Sequence, residues 1–148
     1  MKTLNEVKMT FLSKSTNESF ARIAVSGFVS QLDPKVDELV DVKTAVSEAV
    51  TNCIVHAYNM EVGKIDICVK ILEGSIVYIK IKDYGCGIPD INRAMEPLFT
   101  TAPNDERAGL GFAVMESFMD KLIVRSKVGK GTTVILTKKI QSRKVSDG

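Results

Sequence analysis

Residues 65–81 read Ile-Asp-Ile-Cys-Val-Lys-Ile-Leu-Glu-Gly-Ser-Ile-Val-Tyr-Ile-Lys-Ile, and this stretch decides the fold class. Apolar residues stand at alternate positions on both sides of Glu73-Gly74-Ser75, and such alternation is typical of a half-buried β-strand. Two runs of this kind joined by a short glycine turn predict an antiparallel hairpin. A second hairpin is predicted from strands at 121–127 and 132–139, which Gly129-Lys130-Gly131 connects.

The residues before the first hairpin predict one strand and two helices. Residues 5–12 alternate like a strand, and a helix is expected from about residue 16 to Leu32, where Asp33-Pro34 breaks it. A longer helix is predicted over about 35–58. The apolar stripe expected on the first helix comprises Phe20, Ile23, Ala24, Gly27 and Phe28.

The order of the elements decides between two fold classes. With a further helix expected from about Gly111 to Asp120, the chain runs β-α-α-β-β-loop-α-β-β. This order lacks the strict βα alternation of a doubly wound parallel sheet. We therefore predict an α+β two-layer sandwich, in which a mixed, mainly antiparallel sheet has its helices on one face. Residues 1–140 are expected to form one domain, and the polar, basic residues 141–148 to fray.

Composition excludes several classes of protein. The chain has 148 residues, of which 45% are hydrophobic and 26% charged, with a net charge of +2. These values are ordinary for a domain that folds without metal or disulfide, and they give no reason to expect direct nucleic-acid binding. No apolar run approaches the roughly 20 residues of a membrane span. The odd cysteine count favours reduced thiols, and we expect a cytoplasmic location.

The longer helix carries a candidate catalytic pair. Glu48 and Asn52 are four residues apart, so their side chains lie on the same side of the helix. A carboxylate can accept a proton, and an amide oxygen is a suitable ligand for Mg²⁺. A solvated helix face explains the same spacing. His56, the single histidine, is by itself more simply structural.

Two glycine turns further along the chain could meet a nucleotide. Asp83-Tyr84-Gly85-Cys86-Gly87-Ile88-Pro89 follows a strand, and its glycines allow positive φ or the close approach of a ligand. Arg107-Ala108-Gly109-Leu110-Gly111-Phe112 opens a helix, whose N–H groups would face an anion. Between them, residues 96–108 lack periodicity and are predicted to be a mobile loop. Each turn alone has a plain structural explanation, and neither matches a Rossmann or P-loop motif.

The order of these motifs is more specific than any one of them. The chain resembles the GHKL ATPase superfamily through four segments in sequence order: Glu48-Ala-Val-Thr-Asn52-Cys-Ile-Val-His56, Asp83-Tyr-Gly-Cys-Gly87, Gly109-Leu-Gly111-Phe and Gly129-Lys-Gly131-Thr132. The resemblance covers most of the chain and implies the Bergerat-type ATP-binding fold. Within that superfamily, Asn17-Glu-Ser-Phe-Ala-Arg22 and Gln31-Leu-Asp-Pro34 resemble the anti-sigma F factors of spore-forming bacteria.

This resemblance implies a function. The chain would form a homodimer that holds a sporulation sigma factor inactive, and would use ATP and Mg²⁺ to phosphorylate a serine of an anti-anti-sigma partner. Glu48 would be the general base, Asn52 would bind Mg²⁺, and Asp83 would read the adenine amino group with help from Thr132 through water. Residues 96–108 would form the ATP lid, with Arg107 near the γ-phosphate.

The complete implied site has three groups of residues. The catalytic residues would be Glu48 and Arg107, and Arg22 would dock the protein partner. The residues implied to bind ATP or ADP are Asn52, His56, Asp83, Gly85, Gly87, Ile88, Thr101, Gly109, Leu110, Gly111, Phe112 and Thr132.

Two other functions remain open from the sequence. One is a detached histidine-kinase catalytic domain, which would need a phosphoacceptor histidine on a separate pair of dimerising helices. The other is a binding module whose conformation is set by nucleotide, with no phosphate transfer. Glu48 argues against the second, because passive nucleotide sensing needs no base. A solvated arginine explains Arg22 as well as a docking role does.

Overall fold

The computed structural model of the chain describes residues 1–59, 61–95 and 111–142. They form five strands and four helices, and a 3₁₀ turn at Ser30–Leu32 follows the first helix. In chain order the elements are β1 (Thr3–Leu12), α1 (Thr16–Val29), α2 (Val36–Asn52), β2 (Lys64–Leu72), β3 (Ile76–Asp83), α3 (Ile91–Ala94), α4 (Gly111–Phe118), β4 (Lys121–Lys127) and β5 (Gly131–Lys139). The single-turn α3 was not predicted from the sequence. Among the described residues, no helix is both long and apolar enough to cross a membrane.

The five strands form one sheet in the order β1-β2-β3-β5-β4. Both predicted hairpins are present, and the α+β class is confirmed. The sheet is more regular than the mixed sheet we expected, because each of the four pairings between described strands is antiparallel. The β4–β5 hairpin joins β3 through β5, which runs antiparallel to β3 and leaves β4 at one edge.

The helices cover one face of the sheet, and α2 lies between α1 and α4. The core between the two layers is built from aliphatic side chains, as the alternating pattern of the strands predicts. Its fully buried members include Val42, Val46 and Val50 from α2, with Ile67, Ile79 and Leu136 from the sheet.

The apolar stripe expected on α1 was wrong by part of a turn. The buried positions are Ala21, Val25 and Val29, whereas Phe20 is 51% exposed and Ile23 is 63% exposed. The close packing of α1 against α2 favours small side chains at the contact, and the larger ones lie outside it. The ring of Phe20 instead makes an edge contact with that of Phe11 on β1, with 6.1 Å between the ring centroids.

The opposite face of the sheet is strongly basic. Strand alternation places nine of the twenty Lys and Arg of the chain on it: Lys8, Lys64, Lys70, Lys80, Lys82, Lys121, Arg125, Lys127 and Lys139. Of the eighteen Asp and Glu, Glu6 and Asp66 share this face. The face therefore has a formal charge of +7, and, because the whole chain carries +2, the remainder carries −5.

One buried carboxylate links distant parts of the chain. Glu38, on the first turn of α2, accepts a hydrogen bond from the backbone N–H of Lys35 at 2.9 Å. Its other oxygen accepts from the N–H of Gln141 at 2.7 Å. Ile140 is buried beside this link, so the chain is held in place as far as the first residue of the expected tail. Residues 143–148 of that tail lie outside the described residues.

Candidate nucleotide site

The end of α2 widens into a π-helical turn, Cys53–Ala57, closed by a bond from the Tyr58 N–H to the Cys53 carbonyl at 3.1 Å. Such turns are rare and occur often at functional sites. Here the turn aims the Ala57 carbonyl at the loop after β3, where it accepts a bond from the Cys86 N–H at 3.0 Å. The π-helical turn and the first glycine turn are therefore in direct backbone contact.

Asp83, the last residue of β3, is buried and held in one orientation. Its Oδ1 accepts from the backbone N–H groups of Gly85 at 3.0 Å and Thr132 at 3.1 Å. Burial raises the pKa of the Asp83 carboxyl above its ordinary value, while these N–H groups and the Cys53 thiol act in the opposite direction. A carboxylate fixed in this way is a directed acceptor for a ligand amine.

Cys53 lies behind this carboxylate, and sequence reasoning missed it. Its side chain is buried and makes a hydrogen bond with Asp83. Burial and the neighbouring Asp83 charge raise the pKa of the Cys53 thiol well above its ordinary value. The thiol is therefore a neutral donor that supports Asp83 from the protein side. Its sequence signal is the apolar stripe expected on the longer helix, where Cys53 follows Val42, Val46 and Val50.

Glycine is required in the first turn by packing as well as by any ligand. A Cβ on Gly85 would lie 2.8 Å from the Ala57 Cβ and closer still to the Ala57 carbonyl. Gly87 has φ of +79°, and a Cβ there would lie 2.9 Å from the Val128 Cα. The resemblance implies that these glycines also let the backbone pass close to the base. In the structure, the absence of a Cβ at both positions lets this loop pack between the π-helical turn and the β4–β5 turn.

A hydroxyl network joins this loop to β5. The Ile88 N–H donates to Ser126 Oγ at 2.7 Å, and Ser126 donates to the Gly131 carbonyl at 3.0 Å. The hydroxyl oxygens of Ser126 and Thr132 are 2.8 Å apart. This network brings Thr132, Asp83 and Ile88 together. Ser126 was missed, although a polar residue at a core-facing position of β4 was a usable signal.

The other end of the site lies where α2 meets α4. Asn52 ends α2, and a Cβ on Gly111 would lie 3.0 Å from both Oδ1 and Nδ2 of its amide. The start of α4 therefore faces the Asn52 side chain directly, and Phe112 packs half-buried behind it. Glu48, one turn earlier on α2, is 8% exposed. Glu48 is thus buried and Asn52 half-buried, so these two residues do not lie on the solvated face that spacing alone allowed.

The remaining predicted residues divide into two groups. His56 lies on the π-helical turn, where its carbonyl accepts a weak bond from the Cys86 thiol at 3.5 Å. The predicted residues Thr101, Arg107, Gly109 and Leu110, and the lid at 96–108, lie outside the described residues. Among the residues the structure does describe, no group of three or more His, Cys, Asp or Glu could hold a metal ion.

Arg22 lies in a groove between α1 and α2. Its Nη1 donates to Ser47 Oγ at 3.2 Å, and its side chain is half-buried. The groove has a volume of about 400 Å³ and is lined by Glu18, Arg22, Val40, Lys43, Thr44 and Ser47.

Comparison with known proteins finds one matching domain family and several relatives that share one name. The sequence profile described as Histidine kinase-like ATPase domain matches residues 13–138. An anti-sigma F factor of Thermoanaerobacter sp. is 54% identical over 144 residues, covering 97% of this chain and 100% of that one. Another, from Geobacillus kaustophilus, is 53% identical over 140 residues, covering 95% and 96%. A third, from Clostridium novyi, is 55% identical over 139 residues, covering 93% and 96%.

Solved structures share the fold at low sequence identity. The RsbU and RsbW domains of a Mycobacterium tuberculosis protein match with a TM-score of 0.67 and 18% identity, over 97% of this chain and 34% of that chain. The catalytic domain of the histidine kinase ThkA matches with a TM-score of 0.57 and 15% identity, over 93% of this chain and 97% of that chain. At such identities the likeness shows the fold alone.

Proposed function

Because this chain belongs to the anti-sigma F factor family and matches the histidine kinase-like ATPase domain, we propose that it is an ATP-dependent protein serine kinase that also sequesters a sigma factor. Its substrate would be a serine of an anti-anti-sigma protein. Phosphorylation would inactivate that antagonist, so the sigma factor would stay bound. The proposed assembly is a homodimer that acts in the cytoplasm during sporulation.

One observation carries the nucleotide part of this proposal, namely the close approach of Gly111 to the Asn52 amide. It places the N-terminus of α4 directly beside the Asn52 amide. A helix N-terminus favours anions, and an amide oxygen is a suitable Mg²⁺ ligand. Phosphate oxygens and their Mg²⁺ ion would therefore bind beside these two groups. The ion, when bound, would neutralise charge on the phosphates.

Each residue then has a defined task. Asp83 would accept from the exocyclic amine of adenine, with Thr132 beside it. Asn52 would hold Mg²⁺, and Glu48, one helical turn away, would accept the proton of the attacking serine hydroxyl. Backbone N–H groups of Gly109, Leu110 and Gly111 would bind phosphate oxygens. Thr101 and Arg107 would complete the site from the lid, with Arg107 near the γ-phosphate.

The direct test is incubation with labelled Mg·ATP and an anti-anti-sigma protein. We expect label on a serine of that protein. Glu48→Gln should reduce the rate by at least about 100-fold while ADP affinity stays unchanged, because a general base contributes to transfer and not to binding. Glu73→Gln, an exposed glutamate in the β2–β3 turn, is the matched control and should transfer label normally. Transfer by Glu48→Gln at the normal rate would refute the assigned base, and acid-labile label on histidine would favour a histidine kinase.

Protein docking is proposed at Arg22. The groove between α1 and α2 presents this guanidinium together with the exposed side chain of Val40, and arginine beside apolar groups is typical of interface centres. Arg22→Ala should weaken binding of the sigma factor or of the anti-anti-sigma protein at least about tenfold. ADP affinity should not change. Lys14→Ala, an exposed cation outside the groove, is the control, and equal losses for both variants would refute a specific docking role.

A further inference from the structure

Ser126 sits at the centre of the hydroxyl network beside Asp83 and has three polar neighbours. We propose that Ser126 is a positioning residue that makes the site select adenine over guanine. It would do so by fixing the Thr132 hydroxyl as a hydrogen-bond acceptor toward the base. This inference rests on the proposed binding of ATP at Asp83 and Thr132.

Counting protons fixes the direction of each bond. A serine hydroxyl has one proton and two acceptor lone pairs. The Ile88 N–H can only donate, and the Gly131 carbonyl can only accept. Ser126 therefore uses its proton on the Gly131 carbonyl and one lone pair on Ile88. The remaining lone pair faces Thr132 Oγ1 at 2.8 Å, so Thr132 must be the donor in that pair.

This direction decides what Thr132 can offer a ligand. Once its proton is committed to Ser126, the Thr132 oxygen presents lone pairs alone. The neighbouring Asp83 carboxylate also presents acceptors. Adenine carries an exocyclic amine, which donates, at the position where guanine carries a carbonyl, which accepts. Two acceptors side by side, acting directly or through a water, therefore match adenine and leave the guanine carbonyl without a donor.

Loss of the Ser126 hydroxyl should release the Thr132 proton. Thr132 could then rotate and donate to a guanine carbonyl, so discrimination should fall while binding itself persists. A purely structural role of Ser126, in which it only anchors Ile88 and Gly131, would act differently. It would weaken the binding of all nucleotides by the same factor.

The experiment measures ADP and GDP affinities by calorimetry for a double-mutant cycle. We expect Ser126→Ala to lower the ratio of ADP to GDP affinity by about tenfold, the value of one net hydrogen bond. Thr132→Val should lower the ratio as well, and adding Ser126→Ala to Thr132→Val should change it no further. Ser126→Thr keeps a hydroxyl and should keep the ratio. Ser19→Ala, an exposed serine on α1, is the control.

The outcomes separate this inference from the proposed function. An unchanged ratio in Ser126→Ala, or a change that persists in the Thr132→Val background, would overturn the role of Ser126. If Ser126→Ala does not fold, Ser126→Thr still tests the role of Ser126. Loss of selectivity in Ser126→Thr would contradict that role. If the unsubstituted chain binds neither ADP nor GDP, the proposed function fails, and this inference fails with it.

Discussion

Two aspartates of this sheet have opposite surroundings. Asp83 is buried at the end of β3, and burial raises the pKa of its carboxyl. Asp66 lies on the basic face, where desolvation alone would raise its pKa. Hydrogen bonds from Thr10 and Tyr84, with the charges of Lys64 and Lys82, lower the pKa of Asp66 below its ordinary value. Titration of the two residues should therefore affect stability with opposite signs.

We predict this sign difference for Asp83→Asn and Asp66→Asn. A carboxyl with a raised pKa in the folded state contributes stability that is lost as pH rises through that pKa. The advantage of the wild type over Asp83→Asn in free energy of unfolding should thus shrink between acid and neutral pH. The advantage of the wild type over Asp66→Asn should grow over the same range. The stability that Asp66 contributes is lost as pH falls through its lowered pKa. Urea unfolding at a series of pH values measures both, and parallel trends would contradict the assignment.

The residues of the site were predictable to different degrees. Asp83, Asn52 and Thr132 stand in motifs whose spacing is visible in the sequence, and the structure places Asp83 and Thr132 in contact. Ser126 and Cys53 could not be found in that way. They act through hydrogen bonds to residues far away in sequence, and an isolated serine or cysteine in an apolar pattern does not reveal such a partner.

At the scale of elements, Gly129 in the β4–β5 turn and Gly131 at the start of β5 have different roles. Gly129 has φ of +80°, and a Cβ there would meet nothing within 4 Å. Gly131 has φ of +118°, and a Cβ there would lie 2.8 Å from the Tyr84 Cα and closer to the Asp83 carbonyl. The first glycine serves the turn alone. The second allows β5 to approach the end of β3, where Asp83 lies.

The pair gives a matched test. Gly129→Ala should lower the free energy of unfolding by about 1 kcal/mol, the usual cost of a left-handed backbone for alanine. Gly131→Ala adds a steric clash and should cost about 2 to 4 kcal/mol. It should also weaken ADP binding, because Asp83 must shift. Urea unfolding and calorimetry check these values, and equal losses of stability in the two variants would show that the contact with β3 is unimportant.

Strand alternation predicted the sheet well because side chains alternate between its faces with a period of two. A shift of one residue in the register would expose every core residue. The stripe of α1 was harder to predict. On that helix apolar residues occur all round, so periodicity does not say which of them face α2. Size decided the outcome, since Ala21 and Val25 allow close helix packing and Phe20 does not.

On the scale of the whole molecule, charge is distributed very unevenly. The outer face of the sheet has a formal charge of +7, whereas the other residues of the chain together carry −5. Side chains such as Lys80 and Lys70 are diagonal neighbours on adjacent strands, at a distance where like charges repel. This arrangement lowers the stability of the folded chain most strongly where salt does not screen it.

We therefore predict an unusual salt dependence. Lowering the ionic strength from about 0.15 M to about 0.01 M lengthens the screening distance from about 8 Å to about 30 Å. The free energy of unfolding should fall with it. Lys80→Gln should reduce this dependence and stabilise the chain by about 0.5 kcal/mol at low salt. Lys14→Gln, outside the basic face, should do neither, and identical salt slopes for the two variants would contradict the interpretation.

The link through Glu38 has a practical consequence for protein engineering. Removing residues 143–148, or adding a purification tag after Ser142, should leave the melting temperature unchanged, since the Gln141 N–H still reaches the carboxylate. Cutting after Lys139 would delete the buried Ile140 and one partner of Glu38 together. Loss of the Ile140 side chain alone should lower the free energy of unfolding by about 2 to 3 kcal/mol. A shortened chain should therefore become markedly more sensitive to proteases, and the boundary at Gln141 sets the minimal length for expression of a stable domain.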